Sequence, residues 1–135
     1  MAYRFLSREW ATETRRVLGK SPLFSKAIHG LSSTLLARVT HTPHGKDQFL
    51  YFEFADGKLS KLDVGTHDSI AKKEPEFTIE GAYEAFEKLY RGTLSVQAAY
   101  FRRQVTIHGN LVHAVRFAPA FVKYNEVARQ VETLF

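Results

Sequence analysis

Histidines are the side chains of this sequence best suited to acid–base or metal chemistry, and there are six of them. His41 and His44 flank a predicted turn beside Asp47, where two imidazoles and a carboxylate could form half of a metal site. His108 and His113 bracket a second turn. A metal site also needs partners that orient its ligands, and none is recognisable here. Solvated loop histidines are therefore the simpler interpretation, and we expect no bound metal.

No other group of residues has the pattern of a catalytic centre. The chain has no cysteine, which excludes thiolate ligands, disulfides and a cysteine nucleophile. Glu84 and Glu87 fall on the outer face of a predicted amphipathic helix, where carboxylates are normally solvated. Ser32, Ser33 and Ser60 lack the context of a nucleophile elbow, and no glycine-rich phosphate loop is present. We expect no catalytic residues, no cofactor and no enzymatic activity.

The composition is that of one ordinary globular domain spanning residues 1–135. Apolar residues make up 44% of the chain and charged residues 24%. The first helix is interrupted by charges, so it is neither a signal peptide nor a membrane span. Together with the lack of cysteine, this predicts a cytoplasmic protein.

The net charge of +5 raises the question of whether the protein binds an anionic partner, such as a nucleic acid or a membrane surface. Basic residues occur as scattered pairs, Arg15-Arg16, Lys72-Lys73 and Arg102-Arg103. A nucleic-acid-binding protein would more often gather them on one face within a readable motif, so we expect no nucleic-acid partner. Transient contact with an anionic membrane surface is compatible with the charge.

Local patterns predict two helices followed by an antiparallel meander over residues 31–64. Ser7 can cap a helix that runs to Leu18, and Ser21-Pro22 can start a short second helix. The predicted strands are Leu35–His41, Gln48–Ala55 and Leu59–Val64. Gln48–Ala55 is apolar on both sides, which indicates that both faces are covered. Asp56-Gly57 is a strong hairpin signal because both turn positions favour positive φ.

The second half predicts further elements that complete an α+β domain, with helices on an antiparallel sheet. They are a strand Glu76–Glu80, a helix Ala82–Arg91, a short helix Ser95–Phe101, a strand Gln104–His108 and a last helix Pro119–Phe135. The apolar stripe of the last helix must be buried. It can close a cavity as a lid, or pair with a second copy, so monomer and homodimer both stay open.

The aromatic residues, with 11 Phe and six Tyr, allow either a solid core or a core hollowed around an apolar ligand. Periodicity cannot separate these alternatives, because both need an inward apolar face. Strand parity and helix spacing predict which residues line the cavity or the core around it. They are Leu35, Val39, Phe52, Phe54, Phe101, Val105, Ile107, Leu111, Val115 and Phe121.

The segment from Glu76 to Phe117 resembles the sterol carrier protein type 2 family, in its bacterial single-domain form. The resemblance is sharpest in the run Gly92-x-Leu94-Ser95-x-Gln97-x-Ala99-Tyr100-Phe101, followed by Val105-x-Ile107-x-Gly109-Asn110-Leu111. It implies a five-stranded, mostly antiparallel sheet with helices on one side. It also implies an apolar cavity between them that binds a fatty acid, an acyl-CoA or a sterol-like lipid, without catalysis.

One departure from the family pattern lies just before the strand. The family usually has Gly-Lys where this chain has Arg103-Gln104. The candidates for contacting a polar ligand head group are Arg102, Arg103 and His108, because guanidinium groups suit carboxylates and phosphates. Two alternatives remain beside the lipid carrier: an enzyme acting on a small apolar substrate in the same pocket, and an interaction module with a solid core.

Overall fold

The computed structural model describes residues 1–135, which form seven strands and five helices. The strands are β1 (Tyr3–Arg4), β2 (Ser33–Thr40), β3 (Gln48–Ala55), β4 (Lys58–Gly65), β5 (Phe77–Ala82), β6 (Val105–Gly109) and β7 (Thr133–Leu134). The helices are α1 (Arg8–Gly19), α2 (Pro22–Ala27), α3 (Tyr83–Arg91), α4 (Val96–Phe101) and α5 (Leu111–Ala128). A 3-10 turn at Asp68–Ile70 interrupts the long loop between β4 and β5. None of the helices is both long enough and apolar enough to span a bilayer.

The central sheet has five strands in the order β4-β3-β2-β5-β6. Three of its four pairings are antiparallel, and β2 pairs with β5 in parallel, so the sheet is mixed. The predicted five-stranded, mostly antiparallel sheet is confirmed. The meander is also confirmed, because Asp56 and Gly57 connect β3 to β4 with φ values of +51° and +76°.

Serine side chains begin three of the helices, as predicted. The hydroxyl oxygens of Ser7, Ser21 and Ser95 each accept a hydrogen bond of 3.1 Å from the backbone N–H three residues later. Gly92 ends α3 in the left-handed conformation with φ of +82°. These local signals fix the ends of the helices that pack on the sheet.

The last helix differs from the prediction at both ends. The side-chain oxygen of Asn110 accepts a hydrogen bond from the His113 N–H at 3.2 Å, so α5 begins at Leu111 and not at Pro119. Pro119 lies inside the helix on its exposed face. The inward positions keep helical spacing through the proline, and their burial outweighs the single hydrogen bond that the proline removes. The helix ends at Ala128, well short of the predicted Phe135.

The two ends of the chain form a small parallel sheet that the sequence did not reveal. The N–H of Tyr3 donates to the Glu132 carbonyl at 2.9 Å, and the N–H of Phe5 donates to the Leu134 carbonyl at 2.9 Å. The indole N–H of Trp10 donates to the Thr133 hydroxyl at 3.2 Å. The residues after α5 therefore serve as a strand that holds β1 against the helices.

Both faces of β3 are covered, which confirms the prediction from its sequence. Phe52 and Phe54 join the core beneath the helices. Tyr51 points to the opposite face, where it is 0% exposed and its hydroxyl donates to Glu53 at 3.1 Å. The ammonium of Lys73, from the loop after β4, lies 3.1 Å from the Glu53 carboxylate. This loop thus covers the face that the helices leave open.

Candidate functional site

The apolar space between α5 and the sheet contains most of the residues predicted to line a cavity. Six of them belong to one buried cluster, and Ile107 packs against it while half-buried. The six are Leu35, Val39, Phe52, Phe54, Val105 and Phe121. Strand alternation explains this grouping, because Leu35 lies opposite both Phe52 and Phe77 in the sheet register. The structure thus brings these side chains together on one face of the sheet.

Aromatic rings fill this space. The ring of Phe117 on α5 has its centre 5.3 Å from that of Phe54 and 5.5 Å from that of Phe77. Tyr124, two turns further along α5, lies 5.1 Å from Phe52 in an edge-to-face arrangement. Such contacts are typical of a packed core. Opening of this cluster to hold a ligand remains a prediction.

Four grooves of about 290 to 390 Å³ lie around the edge of the domain. Their linings come from the chain ends, from α1, α2 and α3, from the end of α5, from β4 and from the loop before β3, and they include none of the six buried residues. A smaller cavity of about 80 Å³ lies between α4 and α5, beside Val96 and Val122. Asn125 also lines it, with a buried side-chain oxygen that has no hydrogen-bond partner.

Two buried tyrosine hydroxyls form the polar feature of the interior that sequence analysis missed. The hydroxyls of Tyr90 on α3 and Tyr124 on α5 lie 2.6 Å apart, and both side chains are buried. Burial raises the pKa of both phenols well above the usual tyrosine value, because it disfavours the charged form. Helical spacing placed both residues on inward faces, but no sequence signal shows that two distant hydroxyls meet.

Three predicted lining residues lie at the surface instead. Phe101 is 80% exposed, Val115 is 72% exposed, and Leu111 is also exposed. In α5, Leu111 and Val115 lie one above the other, four residues apart, on an exposed side of the helix, whereas Ala114 and Phe117 are the buried positions. In α4 the buried position is Ala99 and Phe101 points away from it. The apolar character of these residues gave the right segments but the wrong side of each helix.

The head-group candidates Arg102, Arg103 and His108 are all exposed, near the ends of β6. Neither arginine has a carboxylate within ion-pair distance, whereas His108 lies 3.3 Å from the hydroxyl of Thr106. Arg103 has a φ of +57°, the left-handed region that favours glycine. The family pattern has a glycine at this position, and the backbone conformation here is one that glycine adopts easily. This chain forms the turn with an arginine instead.

The turn histidines have ordinary polar neighbours. His41 lies 3.0 Å from the hydroxyl of Thr40, and His44 lies 3.0 Å from the amide of Gln48. The Asp47 carboxylate accepts hydrogen bonds from Arg38, the shorter of them 2.7 Å. No group of three or more His, Asp or Glu side chains in this structure could hold a metal ion.

Comparisons with known proteins agree on one fold. Residues 16–122 match the model of the SCP-2 sterol transfer family. A crystal structure of sterol carrier protein 2 superposes with a TM-score of 0.81 at 20% identity, covering 95% of this chain and 99% of the other. A conserved hypothetical protein from Thermus thermophilus superposes with a TM-score of 0.80 at 20% identity, covering 98% and 93%.

A third solved structure is that of palmitated SCP2L2 from Aedes aegypti. It superposes with a TM-score of 0.58 at 18% identity, covering 93% of this chain and 97% of the other. No curated protein sequence is similar enough to this chain to count as a match. At these identities the solved structures show the fold and not the ligand.

Proposed function

Because the chain belongs to the SCP-2 sterol transfer family, we propose that it binds and carries a lipid without catalysing a reaction. The ligand is a fatty acid, an acyl-CoA or a sterol-like molecule, held between α5 and the sheet. The observation that carries this proposal is the continuous apolar cluster that α5 forms with the sheet. Each ligand methylene buried there contributes about 0.8 kcal/mol, so a long chain needs few polar contacts.

Ligand binding requires α5 to move away from the sheet, because aromatic rings occupy the space between them. Two features of α5 support such a movement. Pro119 has no N–H to donate to the carbonyl of Val115, which weakens the helix at its middle. The half of α5 before Pro119 exposes Leu111, Val112 and Val115 beside its buried apolar residues. This half can therefore swing outward and still contact the ligand.

The polar end of the ligand would remain at the surface. Arg102 and Arg103 lie between the end of α4 and the start of β6, two elements that both contact α5. A carboxylate or phosphate can accept charge-assisted hydrogen bonds from either guanidinium group. His108, at the other end of the strand, is a further donor. An uncharged sterol gains nothing from these cations, so acidic lipids are the preferred class.

Binding of a fluorescent fatty acid to delipidated protein in solution, with native mass spectrometry, tests the proposal. We expect stoichiometric binding that an unlabelled fatty acid displaces. Phe117→Leu should tighten it, because the ligand then displaces one aromatic ring fewer. Phe49→Leu is the matched control, since Phe49 lies on the opposite face of the sheet, near Arg38.

The same experiment discriminates the carrier from a second candidate. The filled interior favours an interaction module with a solid core, which would bind no fatty acid. Equal effects of Phe117→Leu and Phe49→Leu would also contradict binding between α5 and the sheet. A folded chain with no bound lipid and no affinity for the probe would refute the carrier and leave the interaction module.

A further inference from the structure

Five of the eight large apolar side chains exposed on this chain lie on two neighbouring helices. They are Tyr100, Phe101, Leu111, Val112 and Val115. The helices α4 and α5 contact each other and also contact β6. We call the exposed residues of these two helices the α4–α5 surface. Exposed apolar residues concentrated on one part of a protein usually mark a binding surface.

The charge of this region has one sign. Residues 92–125 contain no Asp or Glu. Their cationic side chains are Arg102, Arg103, Arg116 and Lys123. The first three are exposed and form neither an ion pair nor a side-chain hydrogen bond. The carboxylate of Glu76, the residue before β5, is in contact with His113 and does not reach these arginines.

Arg103 has the left-handed conformation that commonly follows the end of a helix. Its φ is +57°, its N–H donates to the Tyr100 carbonyl at 3.1 Å, and the Gln104 N–H donates to the Ala99 carbonyl at 2.9 Å. Glycine adopts this conformation without strain. Replacing Arg103 with glycine therefore removes the charge and keeps the turn.

We propose that the α4–α5 surface docks on an anionic phospholipid bilayer. Its apolar side chains enter the boundary between head groups and acyl chains, while Arg102, Arg103 and Arg116 contact lipid phosphates. A second copy of this chain fits less well, because a symmetric contact would bring like charges together. A nucleic acid fits less well because the exposed apolar residues of α5, Leu111, Val112 and Val115, are aliphatic and cannot stack on bases as Tyr100 and Phe101 could.

Vesicle flotation of the full chain tests this inference without a fatty acid probe. We expect binding to vesicles of phosphatidylcholine mixed with phosphatidylglycerol, and little binding to pure phosphatidylcholine. High salt should weaken the interaction, because it screens the arginines. Failure to bind anionic vesicles would overturn the docking surface and leave lipid carriage untouched. Absence of fatty acid binding, with intact vesicle binding, would overturn lipid carriage and leave the docking surface untouched.

Substitutions locate the contact. Val115→Glu should reduce vesicle binding at least tenfold, since it removes apolar contact and adds a negative charge. Arg103→Gly should reduce it roughly fivefold while the protein stays at least as stable. The matched controls are Leu134→Ser, on β7 where it pairs with Arg4 of β1, and Arg8→Gln, on α1 beside the opposite sheet edge β4.

The controls and the oligomeric state decide between the alternatives. We expect Leu134→Ser and Arg8→Gln to bind anionic vesicles as well as the unaltered chain does. A similar loss in the controls and the surface variants would refute a localised docking face. So would sedimentation showing a dimer that Val115→Glu converts to a monomer, or tight binding of an RNA oligonucleotide that Val115→Glu weakens. Circular dichroism and thermal melting identify any variant that fails to fold. If Val115→Glu does not fold, vesicle binding by Arg103→Gly decides the result.

Discussion

Removing both hydroxyls of the Tyr90–Tyr124 pair should cost less stability than the two single removals added together. The two hydroxyls lie 2.6 Å apart inside an apolar core. Tyr124→Phe leaves the Tyr90 hydroxyl buried without its partner, and an unpaired buried group of this kind costs about 1–3 kcal/mol. The double change to Phe removes both polar groups and keeps the packing of the rings. Its cost should therefore be well below the sum of the two single changes.

Alkaline pH provides a second measurement on the same pair. Burial raises the pKa of both tyrosines in the folded chain, while in the unfolded chain they ionise near about pH 10. A pKa that is higher in the folded chain stabilises the fold at pH values below the pKa of the unfolded chain. This stabilisation is lost as pH rises from the pKa of the unfolded chain towards that of the folded chain. Above about pH 10, each tyrosine should therefore lower the free energy of unfolding by about 1.4 kcal/mol per pH unit.

The assay is chemical denaturation of the unaltered chain, the two single variants and the double variant, at neutral pH and at alkaline pH. We expect a coupling free energy of about 1–2 kcal/mol between the two changes at neutral pH. The double variant should also lose less stability than the unaltered chain at alkaline pH. Additive single effects, or parallel pH profiles for all four proteins, would show that the hydroxyls do not depend on each other.

Two further predictions concern stability at the sheet. The hydrogen bond from Lys73 lowers the pKa of Glu53 in the folded chain. The ionised Glu53 therefore stabilises the fold at pH values above its pKa in the unfolded chain, and this stabilisation is lost as pH falls through its lower pKa in the folded chain. The melting temperature should then fall more steeply with acid in the unaltered chain than in Glu53→Gln, and equal slopes would contradict this. Gly109→Ala should cost about 3 kcal/mol or more, because φ is +105° and the new Cβ would lie 2.5 Å from the Glu76 carbonyl oxygen. Gly45→Ala is its control in urea denaturation, with φ of +84° but open space around the Cβ, and a similar cost for both would refute the steric argument.

Local signals predicted the elements well wherever a short motif determines the backbone. Ser7, Ser95 and Gly92 begin or end helices as expected, because a cap depends on a few neighbouring atoms. The rule that proline begins helices gave the wrong start for α5 at Pro119. The signal that identifies the correct start is Asn110 as a cap, followed by inward residues that keep their spacing through the proline.

The candidate site was less predictable, because its properties depend on contacts between distant segments. Periodicity placed Phe52 and Phe54 on the inward face, but it could not show that Phe117 fills the space between them and α5. It also could not show which side of α4 faces the sheet, since a helix of six residues is too short for a clear stripe. Phe101 was therefore predicted to lie inside and lies outside.

The pairing of β1 with β7 affects when the domain can finish folding. Tyr3 and its partner Thr133 are 130 residues apart in the sequence, so β1 is synthesised well before β7. Until β7 follows, β1 has no strand to pair with, and the ring of Phe5 lacks Phe135, whose ring lies 4.9 Å away in the folded chain. Phe5 also packs on Trp10 and Tyr90, so it is this edge of the core that stays open until then. Closing it is therefore a late step in folding.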